Sequence, residues 1–276
     1  MNMQLHAIHA GHFSCDGGAL FGVIPKPLWS KIYPSDENNV TRLTMRCLLI
    51  DQGERKILIE AGVGNHYPEK VRKNNGHEET DAIERSLGEK GYKPEDITDV
   101  LFTHLHWDHC NGAVLNESGK LKLQFPKATH WCSKKQWEHA QVSNVRERAA
   151  YYPEILNFLK TEGKMQLVEE AGELFPAVSV RLYDGHTPGQ MIPFVEYEGE
   201  TYVYMADLIP TAANIPIVWI AAYDLFPVTT MEEKEQFLKE AAEKNYILFF
   251  EHDYYAECAT VEWKEKGPQL KEKLRF

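Results

Sequence analysis

The chain has 276 residues, of which 43% are apolar and 26% charged, a composition that can bury a substantial core without disulfide bonds. Its 30 basic and 41 acidic residues give a formal net charge of −11, which disfavours nucleic acid and anionic membrane surfaces but not a neutral small molecule. Residues 1–13 lack a basic cluster followed by an apolar core, so no secretory signal is predicted. The five cysteines form no C-x-x-C pair, which predicts reduced thiols in a cytoplasmic protein.

The first half of the chain alternates apolar runs with turn residues and short helical patterns. The predicted strands are 43–51, 56–59 and 99–103. The predicted helices are 78–87 and a single turn at 93–97. The last of these strands ends at the run His104-Leu105-His106-Trp107-Asp108-His109. Because loops at strand ends commonly carry the chemistry of α/β folds, this run is the first candidate site.

The second half continues the alternation. The predicted helices are 133–141, 153–159 and 231–244, and the predicted strands are 178–183, 191–197, 201–205 and 246–250. Thr230 is predicted to cap the helix at 231–244, with Glu233 completing a capping box. Strands alternating with helices indicate a layered α/β domain. No repeat, low-complexity stretch or linker divides the sequence, so a single domain over residues 1–276 is predicted.

The histidine run has the chemistry of a metal site. On a loop that leaves a strand, His104 and His106 can face one position while Asp108 and His109 turn towards a second one nearby. Imidazole nitrogens and carboxylate oxygens are ligands that zinc accepts. The run alone supplies four of them, so two adjacent ions can be held if other parts of the chain complete their coordination.

Three further ligand types follow predicted strands. His186 lies in Asp184-Gly-His-Thr-Pro-Gly189, Asp207 follows the strand at 201–205, and His252 follows the strand at 246–250. A lone histidine is more often a buried, hydrogen-bonded core residue, but four strand ends that each deliver a ligand type favour a site. The remaining histidines belong to no such set of ligand types and are interpreted as structural: His6, His9, His12, His66, His77, His130 and His139.

This pattern resembles the metallo-β-lactamase superfamily, whose signature is H-x-H-x-D-H followed by a separate His, Asp and His. The resemblance runs from Leu43 to His252. It implies a four-layer αβ/βα sandwich with two divalent metal ions at one edge. These are expected to be zinc, with iron, manganese or cobalt as alternatives. It also implies ligands for each position. These are His104, His106 and His186 for the first metal, Asp108, His109 and His252 for the second, and Asp207 as the bridge.

Within the superfamily, the segment from Asp16 to Trp29 is similar to segments of quorum-quenching N-acyl-homoserine lactone lactonases and methyl parathion hydrolase-like enzymes. The resemblance implies hydrolysis of an ester-type bond, with an N-acyl-homoserine lactone as the favoured substrate and Asp108 orienting the attacking water and taking its proton. Three other reactions stay open: a glyoxalase II-like thioesterase, a phosphotriesterase, and a mononuclear-iron sulfur dioxygenase. A nuclease of the same fold is disfavoured by the excess of acidic over basic residues.

Two positions depart from the family pattern. Glu60-Ala61-Gly62 stands where the family usually has Asp-Thr-Gly, and Glu60 is expected to accept a hydrogen bond from a ligand histidine with a longer side chain. Lactonases commonly carry a tyrosine three residues after the bridging aspartate, where this chain has Pro210. Tyr223 can replace that hydroxyl only if its loop folds back towards the metals.

The amino-terminal segment combines apolar side chains with glycines and prolines that suit neither a helix nor a regular central strand. Large exposed aromatics on a loop commonly serve binding, so Phe21 and Trp29 are predicted to line the substrate pocket. Packing on a sheet far from the metals, or on a second subunit in a homodimer, are the alternatives.

Overall fold

The computed structural model describes residues 3–67, 69–77, 79–162 and 164–276. The chain divides into two compact units. The first combines the residues up to Phe13 with Met45–Glu170, and the second combines Ser14–Thr44 with Ala171–Phe276. The single domain over 1–276 stays a prediction.

Fifteen strands and eight α-helices are assigned in the described part of the chain. The strands are β1 (Gln4–Asp16), β2 (Val40–Asp51), β3 (Lys56–Ile59), β4 (Asp99–Leu101), β5 (Val114–Glu117), β6 (Lys120–Leu123), β7 (Thr129–Ser133), β8 (Met165–Val168), β9 (Gly172–Phe175), β10 (Val178–Tyr183), β11 (Gln190–Tyr197), β12 (Glu200–Tyr204), β13 (Ile247–Phe249), β14 (Cys258–Lys264) and β15 (Gly267–Leu274). The helices are α1 (Gly17–Phe21), α2 (Lys26–Trp29), α3 (Glu69–Asn74), α4 (Ala82–Glu89), α5 (Trp107–Cys110), α6 (Lys134–Gln141), α7 (Pro153–Thr161) and α8 (Pro227–Lys244). Among these helices, none is long and apolar enough to cross a membrane.

The first unit is built on a six-stranded sheet with the order β1-β2-β3-β4-β7-β8. The strands β3, β4, β7 and β8 run parallel, and β2 pairs with β3 in antiparallel orientation. All three residues of β4 and the last three of β3 are buried, as expected for parallel strands covered on both faces. The carboxyl end of β4 leads directly into the histidine run.

The second unit contains a seven-stranded sheet with the order β15-β14-β13-β12-β11-β10-β9. Its neighbours are antiparallel except for β12 and β13, which pair in parallel and are connected through α8. The loops that follow β10, β12 and β13 carry His186, Asp207 and His252.

Helix α8 begins one turn earlier than predicted. Pro227 occupies its first turn, where a proline loses no hydrogen bond, so Thr230 lies inside the helix and is not its cap. The predicted capping box is therefore wrong. The Glu233 carboxylate instead accepts hydrogen bonds from the backbone N–H groups of Asp184 (2.7 Å) and Gly185 (2.9 Å). Glu233 thus positions the loop that carries His186.

Other predicted elements also differ at their ends, among them the helix at 78–87 and the strand at 99–103. The helix predicted at 78–87 is observed as α4, and its predicted first residue, Glu78, lies outside the described residues. The strand predicted at 99–103 ends at Leu101, because Thr103 donates its backbone N–H to a side chain instead of a neighbouring strand.

Lys234 of α8 is buried in the second unit, with 1% of its surface exposed, and this burial lowers its pKa from 10.5 to about 7. Its Nζ atom, which carries at most three N–H donors, lies within hydrogen-bond distance of four backbone carbonyl oxygens in the loop that follows β12. These belong to Asn214 (2.7 Å), Pro216 (3.1 Å), Ile217 (3.3 Å) and Trp219 (3.0 Å). The loop therefore bends around one side chain of α8.

His130 lies on β7 in the core of the first unit, and its ring stacks on Phe102 at 5.8 Å between centroids. Neither ring nitrogen has a hydrogen-bond partner among the described residues. Burial, with the positive charge of Lys164 adding to it, lowers the pKa of His130 from 6.5 to about 4. The folded protein therefore holds this ring in its neutral form.

We expect His130 to make stability depend on pH. In the unfolded chain His130 takes up a proton near pH 6.5 and in the folded chain only near pH 4, so its stabilising contribution is complete above pH 6.5 and falls as the pH drops towards 4. The loss is up to about 3 kcal/mol. Urea unfolding at several pH values should show a shallower pH dependence for His130→Phe than for the wild type. Parallel pH profiles for the two proteins would contradict the assignment.

Candidate metal centre

The histidine run lies at the end of β4 in the first unit, and its members are close together as predicted. The rings of His104 and His106 are 4.4 Å apart and those of His104 and His109 are 3.9 Å apart, measured between centroids. Asp108 and His109 belong to the short helix α5, which His106 precedes. All four ligand candidates of the run are buried.

The loop at 60–64 fixes the position of α5. The backbone N–H of Ala61 donates to the carbonyl of His109 at 2.8 Å, and Gly112 N–H donates to the Gly62 carbonyl at 2.8 Å. A Cβ atom at Gly112 would lie only 2.0 Å from the Ala61 carbonyl oxygen, so this close approach requires glycine. The sequence therefore couples the glycine-rich loop to the helix that carries His109.

Each of two histidines in the run has one ring nitrogen held by an outer partner. Thr103 Oγ1 lies 2.9 Å from His104 Nδ1, and Glu147 Oε1 lies 2.9 Å from His106 Nε2. Such partners fix the orientation and tautomer of a ligand ring and raise its basicity. They leave His104 Nε2 and His106 Nδ1 as the nitrogens suited to a metal ion.

Glu147 is a site residue that the sequence analysis missed. It is buried, and besides His106 it contacts the hydroxyl of Tyr151 at 2.7 Å and the Nε2 atom of His139. It lies 41 residues after His106, outside any recognisable ligand spacing. His139, interpreted as structural, acts here as a partner of that carboxylate.

Glu60 contributes differently from the prediction. It is buried and has a positive φ of 69°, a conformation that non-glycine residues seldom adopt. Its Oε1 atom accepts the backbone N–H of Thr103 at 2.7 Å and lies 3.6 Å from His109 Nδ1. This separation exceeds a hydrogen bond, so the resolved role of Glu60 is to anchor the strand end from which the run departs.

In the second unit, Asp207 lies between two histidines. Its Oδ2 atom is 3.1 Å from His186 Nε2, and its Oδ1 atom is 3.0 Å from His252 Nε2. All three side chains are buried. One carboxylate oxygen therefore faces each imidazole, which is the arrangement that a bridging ligand requires.

Both of these histidines also have outer partners. Asp224 Oδ1 lies 2.9 Å from His186 Nδ1, and the backbone carbonyl of Thr44 lies 2.9 Å from His252 Nδ1. The two rings are thus oriented with Nε2 towards Asp207. Asp224, which is buried, was not identified from the sequence, because its 38-residue separation from His186 follows no ligand pattern.

The donor set fits divalent metal ions. Both units gather imidazole nitrogens and carboxylate oxygens at buried positions, and these are the donors that zinc accepts in hydrolases. Buried charges of this kind are costly unless they are paired or coordinate a metal. Outer partners already orient four of the five histidines.

The amino-terminal segment differs from the loop that was predicted. It contains the short helices α1 and α2, because the Asp16 carboxylate accepts hydrogen bonds from the N–H groups of Gly18 and Ala19 and because a proline in α2 suits a first helical turn. Phe21 and Trp29 are buried and stack on each other at 5.2 Å. The premise that these aromatics are exposed is therefore wrong, and their pocket role stays a prediction.

Replacing Phe21 by alanine distinguishes its role in packing from its predicted role in the substrate pocket. Its ring also contacts Tyr33 and Trp219, so Phe21→Ala should lower the free energy of unfolding by about 3–5 kcal/mol. If the segment also lines the pocket, KM should rise with metal content unchanged. Thermal unfolding and steady-state kinetics on the same preparation test both effects. Wild-type KM across all substrate classes would contradict the pocket role.

Tyr223 lies beside a candidate metal ligand, whereas Pro210 stands where lactonases commonly have a tyrosine. Its loop does fold back, since the Tyr223 ring meets the His186 ring edge-on at 5.9 Å between centroids, and 38% of its surface is exposed. A phenol beside a candidate metal ligand is therefore present, although it comes from a different position in the sequence.

The fold and these residues agree with comparisons to known proteins. The family model described as the metallo-beta-lactamase superfamily matches residues 43–252, and the chain belongs to this family. The predicted metallo-β-lactamase fold is confirmed, and the protein is a metal-dependent hydrolase of a superfamily that binds divalent metals.

Within the superfamily, the chain is similar to curated lactonases and to solved structures of hydrolases. The chain is 28% identical to an N-acyl homoserine lactonase of Bacillus cereus over 233 residues, covering 78% of this chain and 83% of the relative. It is 30% identical to the crystal structure of a probable metal-dependent hydrolase from Staphylococcus aureus, with a TM-score of 0.87 over 99% of both chains. AidC, a dizinc quorum-quenching lactonase in complex with a product, shares the fold at 21% identity, with a TM-score of 0.82 over 100% of this chain and 96% of AidC.

Proposed function

We propose that the protein is a lactonase that uses two divalent ions, most simply zinc, to hydrolyse N-acyl-homoserine lactones. The proposed ligands are the seven residues of the family pattern: His104, His106, Asp108, His109, His186, Asp207 and His252. The observation that carries the dinuclear assignment is the Asp207 carboxylate, whose two oxygens face two different imidazoles at 3.0 and 3.1 Å. A ligand to a single ion has no need of that arrangement.

When bound, the ions would supply a hydroxide nucleophile near neutral pH and polarise the substrate carbonyl. The chain's own residues then orient the reaction. Asp108 provides a carboxylate on α5 that can orient the nucleophile and take its proton. Glu147 and Asp224 hold the rings of His106 and His186, so the ligand geometry is preorganised before substrate arrives.

The lactone substrate is supported by three features. Curated relatives are named N-acyl homoserine lactonases, and three of the similar solved structures contain a bound N-acyl-homoserine. The net charge of −11 is compatible with a neutral lactone and disfavours nucleic acid and membrane surfaces.

We also propose a cytoplasmic location, which the five free cysteine thiols suit. A homodimer stays a prediction of the sequence analysis.

A substrate panel tests this function. Metal-reconstituted protein should hydrolyse N-hexanoyl-homoserine lactone with a kcat/KM at least about 100-fold above that for a glutathione thioester or an aryl phosphotriester, because specificity is a difference in transition-state binding. Metal analysis on the same sample separates the sulfur dioxygenase, which requires one iron. A thioester or phosphotriester as the best substrate would contradict the lactonase assignment and leave the metal site intact.

We further propose that the Tyr223 hydroxyl donates a hydrogen bond to the bound lactone. Tyr223→Phe removes only that hydroxyl, so kcat/KM should fall about 10–100-fold, the value of one hydrogen bond to a charged group, with metal content and unfolding temperature unchanged. Tyr255→Phe is a matched control, because Tyr255 is also partly exposed in the second unit and packs against Tyr33 and Tyr254. Equal kinetics for the two variants would exclude the role of Tyr223.

A further inference from the structure

A second cluster of metal-ligand types lies on β1 in the first unit and shares no residue with the proposed catalytic ligands. His9 Nε2 is 3.3 Å and His12 Nδ1 is 2.8 Å from the same oxygen, Oε2 of Glu79. The two imidazole rings are 4.3 Å apart between centroids. About a third of each of the three side chains is exposed, so an ion from solution can reach them.

The backbone of β1 explains why His9 and His12 share a face. In a regular strand, residues three apart point to opposite sides. Here the burial pattern changes phase, since Ala10 and Gly11 are both buried while His9 and His12 are both half-buried. The change coincides with a φ of +113° at Gly11, the kind of local distortion that redirects side chains in bulged strands.

Gly11 lies beside the segment that carries the third ligand. A Cβ atom at this position would lie 3.4 Å from the Glu79 carbonyl oxygen and 3.3 Å from the side chain of Met45. The backbone N–H of His9 donates to Ser86 Oγ of α4 at 2.9 Å. The segment that carries Glu79 is therefore held against β1 although it is 67 to 70 residues away in sequence.

The orientation of the Glu79 carboxylate is fixed from its other side. Arg85 donates from Nη2 to Oε1 of Glu79 at 3.0 Å, which leaves Oε2 as the oxygen shared by the two histidines. A guanidinium that binds the non-ligating oxygen acts as an outer partner and orients the ligand. The same charge weakens the attraction of the carboxylate for a cation, so we expect this site to bind more weakly than the catalytic one.

We propose that His9, His12 and Glu79 form a further binding site for a single divalent transition-metal ion such as Zn²⁺. All three ligand atoms lie within 4.8 Å of one another. Zinc–ligand bonds of about 2.0–2.1 Å place tetrahedral ligand atoms about 3.3 Å apart. The separation of Glu79 Oε2 from His9 Nε2 is 3.3 Å, and its separation from His12 Nδ1 is shorter, at 2.8 Å. Two imidazoles and one carboxylate favour zinc or copper over magnesium or calcium, and the remaining coordination positions face solvent.

Occupation of this site would join β1 to the segment before α4. Because the ion binds the folded arrangement of ligands and not the unfolded chain, it should stabilise the protein by mass action. The site shares no ligand with the proposed catalytic centre, so we expect turnover to need neither His12 nor Glu79.

Metal counting on the full-length, metal-loaded protein tests the proposal. After equilibrium dialysis against Zn²⁺, the wild type should hold one more zinc ion per chain than His12→Asn, whatever the number at the catalytic centre. His6→Asn is the matched control, because His6 lies on the same strand and contacts Tyr92 instead of Glu79. It should retain the wild-type count, and Glu79→Gln should bind the additional ion at least about 10-fold more weakly.

Thermal unfolding provides an independent readout that does not depend on activity. Added Zn²⁺ should raise the unfolding temperature of the loaded wild type and of His6→Asn, and the increase should disappear in His12→Asn. Circular dichroism before loading establishes that the variants are folded, and Glu79→Gln repeats the comparison with the least change in shape. Equal zinc counts and equal thermal shifts in the wild type and His12→Asn would overturn the proposal.

Discussion

Asp207→Ala should abolish most hydrolysis while leaving the chain folded. The substitution removes the carboxylate whose oxygens lie 3.1 Å from His186 Nε2 and 3.0 Å from His252 Nε2, and with it the ligand expected to hold two ions together. Metal content should fall from two ions per chain to one or fewer. We expect kcat/KM to fall by at least about 1000-fold, because metal polarisation of the substrate contributes several kcal/mol. Elemental analysis and steady-state kinetics measure both.

Asp253→Asn is the control variant, which should lose stability but keep its metal. Asp253 is another buried carboxylate of the second unit, but it accepts backbone hydrogen bonds from Ala212, Tyr255 and Ala256. Its loss should lower stability by about 1–3 kcal/mol while metal content is retained. Full metal content and full turnover in Asp207→Ala would show that Asp207 is not the bridge.

His106→Ala should lose metal and activity together. The His106 ring is oriented by Glu147 and lies 4.4 Å from His104 between centroids, so its removal deletes a ligand at the centre of the run. We expect a loss of at least about 1000-fold in kcat/KM that added zinc restores only partly. Dialysis followed by elemental analysis measures the metal that remains.

Glu147→Gln and His66→Asn complete this comparison. Glu147→Gln keeps the shape of the outer partner and removes its charge, so metal affinity or activity should fall about 10–100-fold. His66 lies in the same unit but contacts the Val114 carbonyl, and His66→Asn should keep the wild-type metal content. If His106→Ala keeps wild-type metal and turnover, the ligand assignment of the histidine run is wrong.

The metal-ligand candidates were predictable from the sequence because they follow strands in short, ordered spacings. A strand end fixes where a loop begins, so the run from His104 to His109 could be identified from its spacing alone. The family signature then supplied the expected order of the remaining ligands. Strand boundaries such as 178–183 were also correct, because alternation of apolar residues sets them locally.

The outer partners were not predictable, since no local pattern connects them to their histidines. Glu147 and Asp224 reach His106 and His186 only through tertiary structure, 41 and 38 residues away in sequence. The cluster on β1 was not predicted for a related reason, because regular strand periodicity separates His9 from His12. The change in burial phase that brings them to one side coincides with the positive φ of Gly11.

The segment 17–29 was misjudged because composition does not report burial. Glycines and prolines indicated a loop, but Asp16 supplies a helix cap and the aromatic side chains pack into an apolar cluster. A helix of four or five residues gains little from its own hydrogen bonds. Its existence therefore depends on contacts such as that of Phe21 with Trp219, which lie far apart in the chain.

The surroundings of Lys234 have a further consequence for the loop at 214–219. The carbonyl oxygens converge on the Lys234 amine much as carbonyl oxygens replace the hydration shell of a potassium ion in a selective pore. In this chain the amine is covalently attached to α8 and cannot diffuse away. The loop, and Trp219 with it, is therefore tied to α8 by a covalently attached amine and not by an ion that exchanges with the solvent.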